Sequence, residues 1–186
     1  MKTLINLKRQ DGAKIDAEFK FLDEGYIDKI MELQEGIMNG IKDEQLYVPS
    51  NEEEFIDYIN NNGKVIGCVT KDSDELIAVG VYRNLGYKKD NYGYDIELQG
   101  DELLKVGQIE ATVVREDFRG NRLQKILCEH LEVIGKENKT PIMCATASPY
   151  NEHSLNTFKC LGYKIAKDKL KYGGLRRYVL VKDLGI

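Results

Sequence analysis

The stretch DFRGNRLQKIL, Asp117 to Leu127, packs Arg119, Gly120, Asn121 and Arg122 into one turn at the mouth of a helix. A turn by itself needs only one glycine or asparagine. Free backbone N–H groups at a helix start, together with the helix dipole, favour an anion there. Gly120 lets the backbone approach a ligand closely. Arg119 and Arg122 add charge-assisted bonds to phosphate oxygens. The chemistry implied is a phosphate or pyrophosphate cradle, set against the plainer reading of surface arginines beside a helix cap. The Walker pattern and the dinucleotide pattern GxGxxG are both absent.

The elements that must position this turn are legible on both sides of it. VGQIEATVV, before it, reads as a strand by its β-branched content. After it, Leu123, Ile126, Leu127, His130, Leu131 and Ile134 mark one face of an amphipathic helix. PIMCATAS is a short apolar strand, and the strand–helix–strand unit over 107–147 implies a parallel pair. NEHSLNTFKCLG is a helix opened by Asn151 and closed by Gly162. YKIAKDKLKYGGLRRYVLVKDL reads as two strands around a turn at Tyr172–Gly174.

Upstream, residues 2–21 read as an extended segment with a turn at QDGAK. Ile27, Ile30, Met31, Ile37 and Met38 have helical spacing. In PSNEEEFIDYINNNG, Ser50 and Glu53 form a capping-box pattern and Gly63 ends the helix. KVIGCVT and ELIAVGVYR form a hairpin around KDSD, and NLGYKKDNYGYDIELQG is a polar loop.

The totals frame one domain over 1–186. The chain's 186 residues are enough for a core, 42% are hydrophobic and 31% charged, and only three prolines occur. A formal net charge of -4 gives no reason to expect a nucleic-acid partner. MKTLINLKRQDG lacks the apolar core of a signal peptide, and no stretch approaches a membrane span. Cys68, Cys128, Cys144 and Cys160 are scattered, as reduced thiols of a cytoplasmic protein would be. With two histidines and no CxxC spacing, no metal site is expected.

A second constellation joins the cradle: SPYNEHSLNTFKCLGY sets Asn151, Ser154, Phe158, Gly162 and Tyr163 at fixed offsets on the next strand–helix junction. Strand, R-G-x-x-L turn and helix, then strand and N-x-x-S-x-x-x-F-x-x-x-G-Y, resemble the GNAT superfamily of acyl-CoA-dependent N-acetyltransferases over roughly residues 107–182. The resemblance implies an α/β fold, mixed α+β: a central, mostly antiparallel sheet of about seven strands, flanked by about four helices, with a splayed parallel pair opening a V-shaped cleft. It implies acetyl-CoA as cosubstrate, with the CoA pyrophosphate on the loop of Arg119, Gly120, Asn121, Arg122, Leu123 and Gln124. Val113 and Val114 would pair with the pantetheine arm, and the Val114 N–H foremost would polarise the thioester carbonyl. Asn151 and Ser154 would line the other wall. The acceptor would be a small-molecule or peptide amine, attacking directly in a ternary complex. The alternative is a non-catalytic acyl-CoA-binding or regulatory module on the same fold. A homodimer is left open.

Two positions depart from the family pattern. Arg122 stands where the second cradle glycine is usual, and Phe158 where many members carry a proton-donating tyrosine. The acid role then falls to Tyr163, Ser154, His153 or a water, or is unnecessary for a thiolate leaving group. An alkyl ammonium, with a pKa of about 10, needs a base before it can attack. Glu110 is the first candidate, on the strand entering the cradle and expected to share a face with Thr112 and Val114; a solvated strand-edge glutamate is the bland alternative. Asp95 and Glu97 are weaker candidates for holding a cationic acceptor. Tyr82, Tyr87, Tyr92 and Tyr94 either rim an acceptor pocket or pack on the sheet. His130 reads as a core-edge residue and His153 as a surface one.

Overall fold

A computed structural model describes residues 3–185 of the chain. Its sheet has eight strands in the order β1-β2-β3-β4-β5-β6-β8-β7. The first hairpin, β1 (Thr3–Lys8) and β2 (Lys14–Phe21), turns through Gly12 at φ 91° within the expected QDGAK turn. Helix α1 (Ile27–Gly40) buries Ile27, Ile30, Leu33 and Gln34. Helix α2 (Glu52–Asp57) widens into a π turn over Tyr58–Asn62, and the chain enters β3 (Gly63–Thr70) and β4 (Leu76–Arg83). A side chain at Gly63 would meet the Tyr58 carbonyl oxygen at 2.6 Å, so only glycine fits this tight exit.

The cap of α2 falls one residue later than the sequence pattern suggests. Asn51 and Glu54 form the reciprocal capping box. Ser50 is committed elsewhere: its N–H donates to Gln34 Oε1 at 3.1 Å, and its hydroxyl lies 3.1 Å from that of Tyr58.

After the long loop, which contains only short 3-10 turns, come β5 (Val106–Val114), α3 (Leu123–Glu137), β6 (Ile142–Ala147), α4 (Glu152–Cys160), β7 (Lys164–Lys171) and β8 (Leu175–Asp183). The sheet separates two apolar layers. Leu123, Leu127 and Leu131 of α3 join Phe158 and Tyr163 on one face, while Ile30 and Leu33 of α1 join Phe55 and Tyr58 on the other. Among the described residues β5 and β6 are the parallel pair; every other strand pairing is antiparallel.

Two irregularities in β5 position the site. Its ladder to β6 runs from Val106 to Ile109 and stops there, while its ladder to β4 continues to Val114. The far half of β5 therefore parts from β6 and opens a wedge. On the β4 side, Val81 opposes Ala111 and Tyr82 opposes Ile109. Glu110 is the extra residue of a β-bulge, a device that re-aims a side chain.

Candidate active site

The cradle begins where β5 ends. The Arg115 N–H still donates to the Ile77 carbonyl at 2.8 Å, and a 3-10 turn over Glu116–Phe118 carries the chain to α3. Gly120 takes φ 90° with open space where a Cβ would stand. Arg122 caps α3 at φ 59°, the left-handed conformation that glycine usually supplies. Its side chain makes no cap bond, and among the described residues the N–H groups from Gly120 to Lys125 meet no protein acceptor. This is an open donor cluster at a helix N-terminus, suited to a phosphate.

Each expected cradle residue plays a distinct part. Asn121 is a clamp: its amide donates to the carbonyls of Lys8 and Phe118, each at 2.8 Å, and its oxygen accepts from the Lys8 N–H at 2.9 Å. Leu123 is buried, so only its backbone faces a ligand. Arg119 is paired with Glu116 at 3.1 Å. Arg122 is exposed and forms no ion pair among the described residues. The sequence reading treated the two arginines alike; the structure separates them.

Gln124 spans the wedge. Its Nε2 donates to Thr112 Oγ1 on β5 at 3.1 Å and to Ser154 Oγ on α4 at 3.0 Å. Asn151 caps α4 by accepting from the Ser154 N–H at 3.1 Å. Antiparallel pairing alternates the direction of backbone groups. Because the Arg115 N–H points to β4, the Val114 N–H points away from it, into the opening. The Val113 N–H is directed to β4, and its side chain is buried against α1 and α2.

Glu110 lies on the other side of the sheet from the helix that carries the cradle. The expectation that it shares a face with Thr112 and Val114 fails, because the bulge shifts the alternation by one residue. Thr112 contacts α3 and Val114 packs in the α3 layer. Glu110 instead accepts from Gln108 Nε2 at 2.6 Å and from the Tyr92 hydroxyl at 3.5 Å. The Tyr92 hydroxyl is 2.7 Å from that of Tyr172, which is 2.9 Å from Thr146 Oγ1. Loop, β5, β6 and the β7–β8 turn thus meet in one polar chain at the apex of the wedge. Burial pushes the Glu110 carboxyl above the ordinary range, while the bond from Gln108 opposes the shift. A carboxylate whose pKa is raised holds a proton more tightly than an exposed one and is the stronger base of the two.

Several expected site residues lie elsewhere. Tyr163 is buried in the α3 layer, its ring edge-on to Phe158 at 5.1 Å and its hydroxyl without a hydrogen-bond partner among the described residues. Burial and nearby Glu132 hold that hydroxyl protonated, and the structure does not bring it to the wedge. Asp95 is occupied by Lys169 and Lys171, and Glu97 by Lys167, so both acids tie the loop to β7. Tyr82 packs in the core against Thr140, and Tyr87 and Tyr94 hold the loop together. His130 packs its ring against that of Phe19, tilted, with centroids 5.0 Å apart, and His153 is exposed. Sequence reasoning missed Gln108, Thr146 and Tyr172. The first lies two residues before Glu110 and was legible in principle; the other two reach the site through pairings distant in the chain.

A parallel pair that splays apart, with open N–H donors at a helix start on one side and a half-buried carboxylate on the other, is an arrangement suited to group transfer from a phosphate-bearing donor. The model of the acetyltransferase (GNAT) family matches residues 27–163. The chain belongs to that family, and is thereby an acetyltransferase. Solved structures share its fold. One from Salmonella typhimurium, yncA with its cofactor acetyl-CoA, has TM-score 0.67 at 12% identity, covering 90% of this chain and 94% of that one. An N-acetyltransferase from Staphylococcus aureus gives 0.65 at 16%, covering 90% and 98%. The PaiA N-acetyltransferase from Thermoplasma acidophilum, in complex with coenzyme A, gives 0.62 at 13%, covering 90% and 98%. Among curated proteins no sequence relative matches.

Proposed function

We propose that the protein acetylates a primary amine with acetyl-CoA, working as one catalytic domain with Glu110 as base. The observation that supports this reading is the wedge itself: the open donors of Gly120 to Lys125 lie toward one face, and Glu110 lies on the other. Bound acetyl-CoA would supply an activated acetyl thioester. The N–H groups of the cradle and the Arg122 side chain suit its pyrophosphate, and the outward Val114 N–H suits an acyl oxygen. Leu123 and Gln124 contribute backbone donors there, and Asn151 and Ser154 hold the α4 wall that Gln124 bridges.

Glu110 would take a proton from the acceptor ammonium, so that a neutral amine attacks. The polar chain of Tyr92, Tyr172 and Thr146 holds the carboxylate and leads away from it. Direct transfer is supported by the placement of the cysteines: Cys68, Cys128 and Cys144 are buried with their thiols raised by burial, and the exposed Cys160 ends α4, at the far end of that helix from the Ser154 that Gln124 reaches. No described helix is long and apolar enough to cross a membrane; a cytoplasmic enzyme is the reading we adopt.

Calorimetric titration with acetyl-CoA, followed by a screen of amines for CoA release, tests the proposal. Binding and release with some amine support it. Binding without release from any amine favours a non-catalytic acyl-CoA-binding module, and no binding removes the cradle reading.

A further inference from the structure

Arg9, Arg83, Arg115, Arg119 and Arg176 each form an ion pair with a carboxylate. Among the described residues Arg122 and Arg177 form none. Arg122 stands in the phosphate cradle. Arg177 is only 4% exposed, and the acceptor it does reach is the carbonyl of its neighbour Arg176, at 2.8 Å from Nη1. A buried guanidinium stays charged, and burying a charge without an anionic partner is costly. Asp168, the one acid on β7, is paired with Arg176, and Asp95 is taken by Lys169 and Lys171, so nothing on the adjacent strand neutralises Arg177.

Its place in the fold gives the uncompensated charge a meaning. Tyr178 is the last β8 residue paired with β6, opposite Ala147, so Arg177 stands just past the end of β6. Tyr178 and Leu180 pack in the α3 layer, whereas Val181 packs beside Tyr92 on the opposite face. Strand alternation puts Arg177 on that opposite face, with Tyr92 and Glu110. Its guanidinium carbon is 5.8 Å from the Tyr172 ring, and Tyr172 holds the hydroxyl of Tyr92 beside the Glu110 carboxylate. Tyr172 itself takes φ 51° in the turn, a left-handed conformation costly for a tyrosine, and that turn sets it between Arg177 and the base.

We infer that Arg177 receives a carboxylate carried by the acceptor, which makes the acceptor an amino acid or a similar small amine bearing an acid. This deepens the acetyltransferase reading and rests on it. The guanidinium fork matches a carboxylate in two parallel bonds. An acceptor held there by its acid presents its amine toward Glu110, on the face opposite the cradle.

The experiment compares each of a panel of free amino acids with its carboxamide and its decarboxylated amine, for wild type, Arg177→Gln and Arg177→Lys, with acetyl-CoA. For the best acceptor the wild type favours the free acid in kcat/KM by about ten- to a hundred-fold. Arg177→Gln collapses that ratio to near one, chiefly through KM, and Arg177→Lys restores part of it. Acetyl-CoA binding by calorimetry accompanies each variant as a check on folding. Equal use of acid and amide by wild type overturns the inference, as does a ratio unchanged in Arg177→Gln, or acetyl-CoA binding without acetylation of any acid-bearing member. Absence of acetyl-CoA binding by wild type sinks the acetyltransferase reading itself, a separate result.

Discussion

The hydroxyls of Tyr92 and Tyr172 lie 2.7 Å apart, and this contact holds the β7–β8 turn against the loop that precedes β5. Tyr92 also donates to Glu110, so the geometry of the proposed base depends on a residue near the far end of the chain. Tyr92→Phe removes the shared hydroxyl. Its bond to Glu110 favours the ionised carboxylate, so its loss moves the Glu110 pKa further up. The acid limb of the kcat/KM profile then shifts to higher pH. A pH–rate series on wild type and variant checks this, and an unmoved limb disconnects Tyr92 from the base.

Glu110→Gln separates activity from stability. Turnover falls by about 10²- to 10⁴-fold if the carboxylate is the base, while calorimetric affinity for acetyl-CoA is retained. The stability change has the opposite sign. The folded pKa of Glu110 is raised by burial. Its contribution to stability is therefore intact below the unfolded value of about 4.3 and lost as pH rises through the folded value. The neutral amide escapes that loss. Thermal melts at pH 8 place the variant above wild type, and at pH 4 the advantage disappears.

Arg122 combines a left-handed backbone with a charge that has no ion-pair partner among the described residues, and two substitutions divide these. Arg122→Gly relieves a conformation that costs a side chain about 1 kcal/mol, so the variant melts no lower than wild type. Its affinity for acetyl-CoA still falls, by about ten-fold or more for a lost charged hydrogen bond. Arg122→Ala loses the same affinity and stays strained. Undiminished affinity in both variants assigns phosphate binding to the backbone alone.

Asn121 is predicted to matter through the scaffold. Asn121→Ala breaks the bonds that clamp the cradle to Lys8 and Phe118. The bonds to Lys8 are exposed and the one to Phe118 half-buried, so a loss of about 0.5–1.5 kcal/mol is expected, read from urea midpoints. Weaker acetyl-CoA binding should accompany it. Full stability in the variant means that the turn holds its shape without the clamp.

Much of this protein is decided by short-range pattern. The apolar runs KVIGCVT and ELIAVGVYR, the turn at Tyr172–Gly174, the apolar face of α3 and the cap at Asn151 each follow from residues a few positions apart, because the helix period, short apolar runs and turn conformations are local. The turn at Arg119–Gln124 and the open helix start after it were legible for the same reason, as one glycine, two arginines and the apolar face of α3. What the tertiary structure alone decided is where these pieces meet. The bulge that turns Glu110 from the face of Thr112 exists because Val81 and Tyr82 of β4 span three residues of β5. Ser50 yields the cap of α2 to Asn51 because Gln34 and Tyr58 claim it from other elements. Tyr163, read as a weak acid candidate, is drawn into the α3 layer by Phe158, and Asp95 and Glu97 are consumed by lysines of β7. Tyr172 and Arg177 reach the site only because β8 pairs with β6 beyond α4, a long-range contact that no local period encodes.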